Sequence, residues 1–242
     1  MRVVLELETG AEAGFALAAK LKLRGVLLPL PALAAEPDNL TETACARWRQ
    51  AAAAHGATIA GLTGVLAGAV RHLAGGETTR AAARARVQAA IRLCTELGAR
   101  LACCELPAWD TLRGKLRAEQ AETLAAEVLR ACGPLAESRR VTLCVSGDDA
   151  SAAERLVQKV NHPNIRLACD GAVVERLAKP VVHTRLVRAR PGDDPARLGK
   201  RLAALGYDSW LALRLGGEND LAAARTWLEK FRAVSSDLEK RS

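Results

Sequence analysis

The 242-residue sequence has no C-x-x-C pair, no G-x-G-x-x-G turn after any strand-like run, and no apolar stretch near the ~18 residues that cross a bilayer. The first absence excludes zinc-ribbon and thioredoxin-type chemistry. The second excludes the usual dinucleotide-binding sheet, and the third excludes a membrane-spanning helix. The opening stretch MRVVLELETG carries Glu6 and Glu8 and no apolar core, so it does not read as a secretory signal. Histidine is scarce at four residues, and no linker or low-complexity block divides the chain.

Half of the residues are hydrophobic and 26% are charged, the profile of a soluble globular domain. The net charge of +8 leaves anionic small molecules or nucleic acid open as partners without requiring either. Much of the basic charge is spread along helix-like stretches such as RAAARARVQAAIR, which read as solvated helix faces. The seven cysteines (Cys45, Cys94, Cys103, Cys104, Cys132, Cys144 and Cys169) are odd in number and lie mostly in apolar runs. They read as buried free thiols in a reducing compartment, which predicts a cytoplasmic protein.

Short Val/Ile/Leu-rich runs alternate with helical patterns along the whole chain. The strand candidates are residues 2–7, 25–30, 57–62, 100–106, 141–146, 164–170, 181–187 and 209–215. Val87, Ile91, Cys94 and Leu97 share one helix face, and Gly98 stops that helix. Leu124, Val128, Cys132 and Leu135 form a second stripe, with a kink expected at Gly133-Pro134. Asp194 caps a helix that Pro195 opens and Gly206 ends. In the last helix Leu221, Trp227 or Leu228, and Phe231 face inward. Eight such units predict an α/β fold: a (β/α)8 TIM-type barrel forming a single domain over residues 1–242.

Several segments taken in order carry a resemblance. They are AKLKLRGVLLPL, AAAHGATIAGL, RVQAAIRLCTELGARLACC, LAESRRVTLCVS, NHPNIRLACDG and LAALGYDSWLALRL. Together they resemble the xylose-isomerase-like TIM barrels, a family of sugar isomerases, sugar-phosphate epimerases and, more distantly, endonuclease-IV-type enzymes. The resemblance implies a divalent metal at the C-terminal mouth, held by a Glu ending strand 5, an Asp ending strand 6, a His on strand 7 and a Glu ending strand 8. In this sequence those positions read Ser146, Asp170, Arg185 (with His183 two residues before it) and Arg214. An arginine ~5 Å from a divalent ion is repelled by roughly 7 kcal/mol at an effective dielectric of 20. No bound metal or other cofactor is therefore expected.

Strand alternation independently places Ser146 and Arg214 on inward rows. Arg185 and Arg214, with Ser146, Asp170 and Trp109, are the candidate substrate-binding residues; the arginines either grip an anion or pair with Asp170. His183 and Glu105 are the candidate proton-transfer residues. His55 and His162 fall on the opposite rim, and His72 lies in the loop after strand 3. Gly216-Gly217 sits where barrels bind phosphate, but Glu218 and Asp220 oppose an anion there. The expected function is that of a divergent sugar (phosphate) isomerase or epimerase without the family metal, binding a carbohydrate or anionic compound. The alternatives are a non-catalytic binding or scaffold protein and, more distantly, an endonuclease-IV-like DNA-binding protein. No membrane contact and no nucleic-acid partner are expected, and oligomerisation stays open.

Overall fold

The structure, a computed structural model, describes residues 1–8, 11–34, 37–67, 73–106, 116–176 and 183–239. Eight parallel strands close into a barrel in sequence order: β1 (Arg2–Leu7), β2 (Gly25–Pro29), β3 (Thr58–Thr63), β4 (Leu101–Glu105), β5 (Thr142–Ser146), β6 (Ile165–Asp170), β7 (Thr184–Ala189) and β8 (Trp210–Leu215). Closure rests on the β1–β8 pairing, in register from Arg2↔Trp210 to Leu7↔Leu215. The strands are short apolar runs because both faces are covered, by helices outside and by side chains inside.

Helices return each strand to the next. They are α1 (Ala11–Lys20), the one-turn α2 (Leu30–Leu33), α3 (Glu42–Ala54), α4 (Glu77–Leu97), α5 (Ala118–Ser138), α6 (Ala150–Val160), α7 (Gly171–Arg176), α8 (Pro195–Ala204) and α9 (Leu221–Glu239). Short 3-10 turns precede α3 and α9. The cap expected at Asp194 is made, its Oδ1 accepting from Ala196 and Arg197 N–H, and Thr41 Oγ1 caps α3 by accepting from Ala44 N–H. Gly98 ends α4 in the left-handed conformation at φ 72°. At Gly133-Pro134, where a kink is expected, the helix continues, and α5 runs on to Ser138 with Pro134 inside it. In α9, Trp227 and Phe231 are buried and stack at 4.9 Å, and Trp227 Nε1 donates to Asp193 O.

Two apolar layers follow from the alternation. The outer one packs helices on the sheet. The inner one fills the barrel axis with Val4, Leu27, Leu101, Leu186 and small residues such as Ala60, Cys103, Cys144 and Ala212. The inward rows are thereby fixed, and each row that ends in a polar residue delivers it to the C-terminal mouth.

Seven strands fall within a residue or so of the expected ranges. Strand 7 is the correction: it runs Thr184–Ala189, not 181–187. The run TRLVRA carries a cation at every third residue, so its apolar pattern alone does not set the frame. Pairing with β6 sets it, with Thr184 opposite Leu167 and Arg188 opposite Asp170.

Two outcomes follow from the packing. All seven cysteines are free and buried, and burial pushes the Cys94, Cys132 and Cys169 thiols up to about 12 and Cys45 to about 11. A thiol-reactive dye at mild alkaline pH is expected to leave the native protein essentially unlabelled and to count all seven thiols after denaturation. A Cβ at Gly61 would lie 2.5 Å from the Leu101 carbonyl oxygen, which belongs to the adjacent strand. Gly61→Ala is expected to lower stability by about 1–3 kcal/mol in urea denaturation.

Candidate functional site

Six inward rows end at the mouth on Glu6, Glu105, Ser146, Asp170, Arg188 and Arg214. Arg188, only 4% exposed, lies at the centre of a polar network. Its Nε donates to Glu6 Oε2 at 2.9 Å, its Nη1 to Ser146 Oγ at 2.8 Å and its Nη2 to Glu105 Oε1 at 2.6 Å. Glu6, 3% exposed, uses its other oxygen to accept from Arg214 Nη2 at 2.8 Å and Nε at 3.2 Å. Glu105 Oε2 accepts the backbone N–H of Gly64 at 2.7 Å. One charged chain, Gly64–Glu105–Arg188–Glu6–Arg214, thus ties the end of β3 to β4, β7, β1 and β8.

The charges are matched to that arrangement. Burial opposes the Arg188 charge, but the carboxylates of Glu6 and Glu105 outweigh it and keep the guanidinium firmly protonated. Burial raises the Glu105 carboxyl above its usual range, Arg188 pulls it back, and Glu6 adds to the rise. The planar fork of Arg188 suits this role because it gives three separate donor directions to three strands.

Beside the network lies a cavity of about 300 Å³ whose polar lining is Glu105, Ser146, Asp148, Asp170, Arg188 and Arg214. Arg188 and Arg214 are both bound to carboxylates, whereas Asp170 is exposed at the end of β6. Among the described residues, no three His, Cys, Asp or Glu side chains converge as a metal-ligating group.

The structure brings Ser146, Asp170, Arg214 and Glu105 together, Ser146 and Arg214 on the inward rows that their strand patterns implied. Arg185 is corrected: it is exposed at the start of β7, and Arg188 reaches the mouth in its stead. His183 is likewise corrected. It precedes β7 at the N-terminal end of the barrel, where its Nδ1 stands 3.5 Å from Arg166, so the length of the strand separates it from Glu105. The expected Asp170 ion pair is replaced by Glu6, which holds Arg214. Trp109 and His72 lie outside the described residues.

Sequence reasoning missed Glu6 and Arg188. Glu6 left a signal, an acid within the apolar strand RVVLEL on the same parity as Val4, which faces the barrel axis. Arg188 left none until the β7 frame was known. At Gly216-Gly217 the backbone is already served, because Gly216 N–H donates to Asp220 Oδ2 at 2.8 Å.

Comparison with known proteins agrees with this architecture. Residues 15–172 match the family model of the xylose isomerase-like TIM barrel. A search of curated proteins gives no match. Among solved structures, the chain is similar to D-psicose 3-epimerase from Clostridium cellulolyticum H10, solved with D-tagatose. The TM-score is 0.79 at 16% identity, over 97% of this chain and 99% of that one. It is similar to an L-ribulose 3-epimerase at a TM-score of 0.74 and 14% identity, over 99% and 96% of the two chains. It is also similar to 3-keto-D-glucoside 4-epimerase from E. coli at 0.72 and 13%, over 96% and 99%. At these identities the structural likeness shows the fold, and the family match carries the assignment. The chain belongs to the xylose isomerase-like TIM barrel family.

Proposed function

We propose that this barrel binds a carbohydrate at its C-terminal mouth without a divalent metal, the Arg188 guanidinium acting as the cation at the centre of the site. The observation that carries the reading is the triple engagement of Arg188 by Glu6, Glu105 and Ser146 inside the barrel. The donor set does not suit a metal. Of the four ligand positions that the family resemblance implies, only Asp170 offers a hard anionic oxygen; Ser146 is neutral, Arg185 and Arg214 are cationic, and Arg188, which reaches the mouth in place of Arg185, is cationic too. The carboxylates Glu6 and Glu105 are already neutralised by arginine.

The same bookkeeping favours a neutral sugar over a phosphate. Three carboxylates line the cavity, Glu105, Asp148 and Asp170, and its two arginines are bound to carboxylates. A polyol can donate to those acids and accept from the outer edge of Arg214, whereas a phosphate would find no spare positive charge. The relatives named above as sugar epimerases support a sugar ligand as the class.

A second reading, residual proton exchange, is favoured by one feature: the raised carboxyl of Glu105 at the cavity wall beside a guanidinium that could stabilise an enediolate oxygen. Incubating ketoses with the protein in deuterated water separates the two. The binding reading expects ligand-induced thermal stabilisation and no deuterium uptake at the carbon next to the carbonyl. Uptake that is lost in Glu105→Gln establishes the second.

Two outcomes test the metal-free cation. Protein purified without chelator is expected to hold well under one equivalent of Mn, Co, Zn or Mg by mass spectrometry, and ketose-induced stabilisation should survive EDTA; a stoichiometric metal overturns the proposal. Arg188→Met leaves Glu105 without its counter-charge and Glu6 with Arg214 alone, and is expected to cost about 3–5 kcal/mol. With the Arg188 charge gone, burial raises the Glu105 carboxyl further, so in that variant the folded state holds a proton on Glu105 more tightly than the unfolded state does. The deficit should therefore shrink as pH falls from about 8 to about 5.

A further inference from the structure

The opposite end of the barrel is a second charged surface, unrelated to the mouth. Five arginines stand at or just before strand starts there: Arg2, Arg24, Arg100, Arg166 and Arg185, belonging to β1, β2, β4, β6 and β7. All are exposed except Arg166, which is half-buried. Lys22 after α1, and Arg139 and Arg140 after α5, add three exposed cations at helix ends. Among the residues whose side chains are described, Asp208 in the connection before β8, and Glu96 and Glu137 in the last turns of α4 and α5, stand against these eight. Among the described residues, Lys22, Arg24, Arg100, Arg139, Arg140 and Arg185 form no ion pair.

Helix dipoles account for part of this, since helices α1, α3, α4, α5, α6 and α8 end on this face and each C-terminus attracts cations. They do not account for the five strand-borne arginines. Nor do they account for a second feature, the left-handed residue that ends the helix. It is glycine after α3, α4 and α8 (Gly56, Gly98, Gly206) and asparagine after α6 (Asn161), the residues that adopt this conformation most readily. After α1 and α5 it is Lys22 and Arg140, both at φ 54°. A long cationic side chain is strained there relative to glycine, and it is placed on the same face as the five strand-borne arginines.

The geometry points to this N-terminal face as a docking surface for the sugar-phosphate backbone of nucleic acid, bound without reading sequence. Seven of the eight cations are arginine, whose fork suits phosphate oxygens. They are spread around the rim, which suits a polyanion more than a single phosphate. Apolar anchors of the kind a membrane or a protein partner needs are sparse: Met1 is the exposed large hydrophobic residue among those described. Trp210 is half-buried under Arg2, 5.1 Å from the guanidinium.

The test is fluorescence anisotropy with labelled duplex DNA and single-stranded RNA of equal length, beside flotation with phosphatidylserine vesicles. Binding is expected at about 50 mM salt, weakening by a factor of about 10²–10³ by about 200 mM, as four or five phosphate contacts require. The nucleic acid with the tighter binding identifies the natural backbone. Arg24→Glu/Arg100→Glu should abolish binding, whereas Lys200→Glu/Lys230→Glu, the same charge change on exposed positions of α8 and α9, should reduce it far less. Unchanged melting temperatures establish that both variants are folded. No binding at the lower salt, equal loss in both variants, or tighter association with vesicles than with nucleic acid overturns the proposal.

Discussion

Everything at the mouth depends on one guanidinium held inside a barrel. Arg188 enters on β7 and is bound by side chains from β1, β4 and β5, strands that a conventional apolar plug would hold together by contact alone. A buried arginine is tolerated only where its donors are used and its charge is matched. Glu6 and Glu105 supply the match, and Arg214 takes up the remaining oxygen of Glu6. The network therefore decides both what the mouth can bind and what would happen if any member were removed. Taking away Arg188 leaves Glu105 without a counter-charge and Glu6 with Arg214 alone, and taking away Glu6 leaves Arg214 without its carboxylate and Arg188 with Glu105 alone.

The layer below explains why the network sits where it does. Ala60, Cys103, Cys144 and Ala212 join Val4, Leu27, Leu101 and Leu186 in a buried apolar layer, so polar side chains are confined to the ends of the inward rows. At one end these rows finish in matched acids and arginines around a cavity. At the other they begin beside arginines with few acids nearby. The two ends thus differ in kind: the mouth is internally neutralised, and the opposite face keeps its charge for a partner.

Most of the architecture was legible in the sequence because the strands are short, apolar and bounded by clear helix signals. Ser146 and Arg214 could be placed because their strands alternate cleanly between aliphatic and other residues. β7 could not be framed that way. TRLVRA offers an arginine on either parity, and only pairing with β6 decides that Arg188 faces in and Arg185 faces out. Glu6 was legible but unread, since an acid near a strand end is meaningless until a buried cation is known to need it. The partner of Arg214 was misassigned to Asp170 for the same reason: the β1–β8 register, which sets Glu6 opposite Arg214, is a closure contact that no local pattern reports.

The most direct measurement is a crystal structure of the protein grown with excess Mn²⁺, with anomalous scattering recorded for the metal. The account predicts no anomalous peak at the mouth and an Arg188 guanidinium bridging Glu6, Glu105 and Ser146. A manganese ion bound by Asp170 and Glu105, with Arg188 swung out of the barrel, would contradict it.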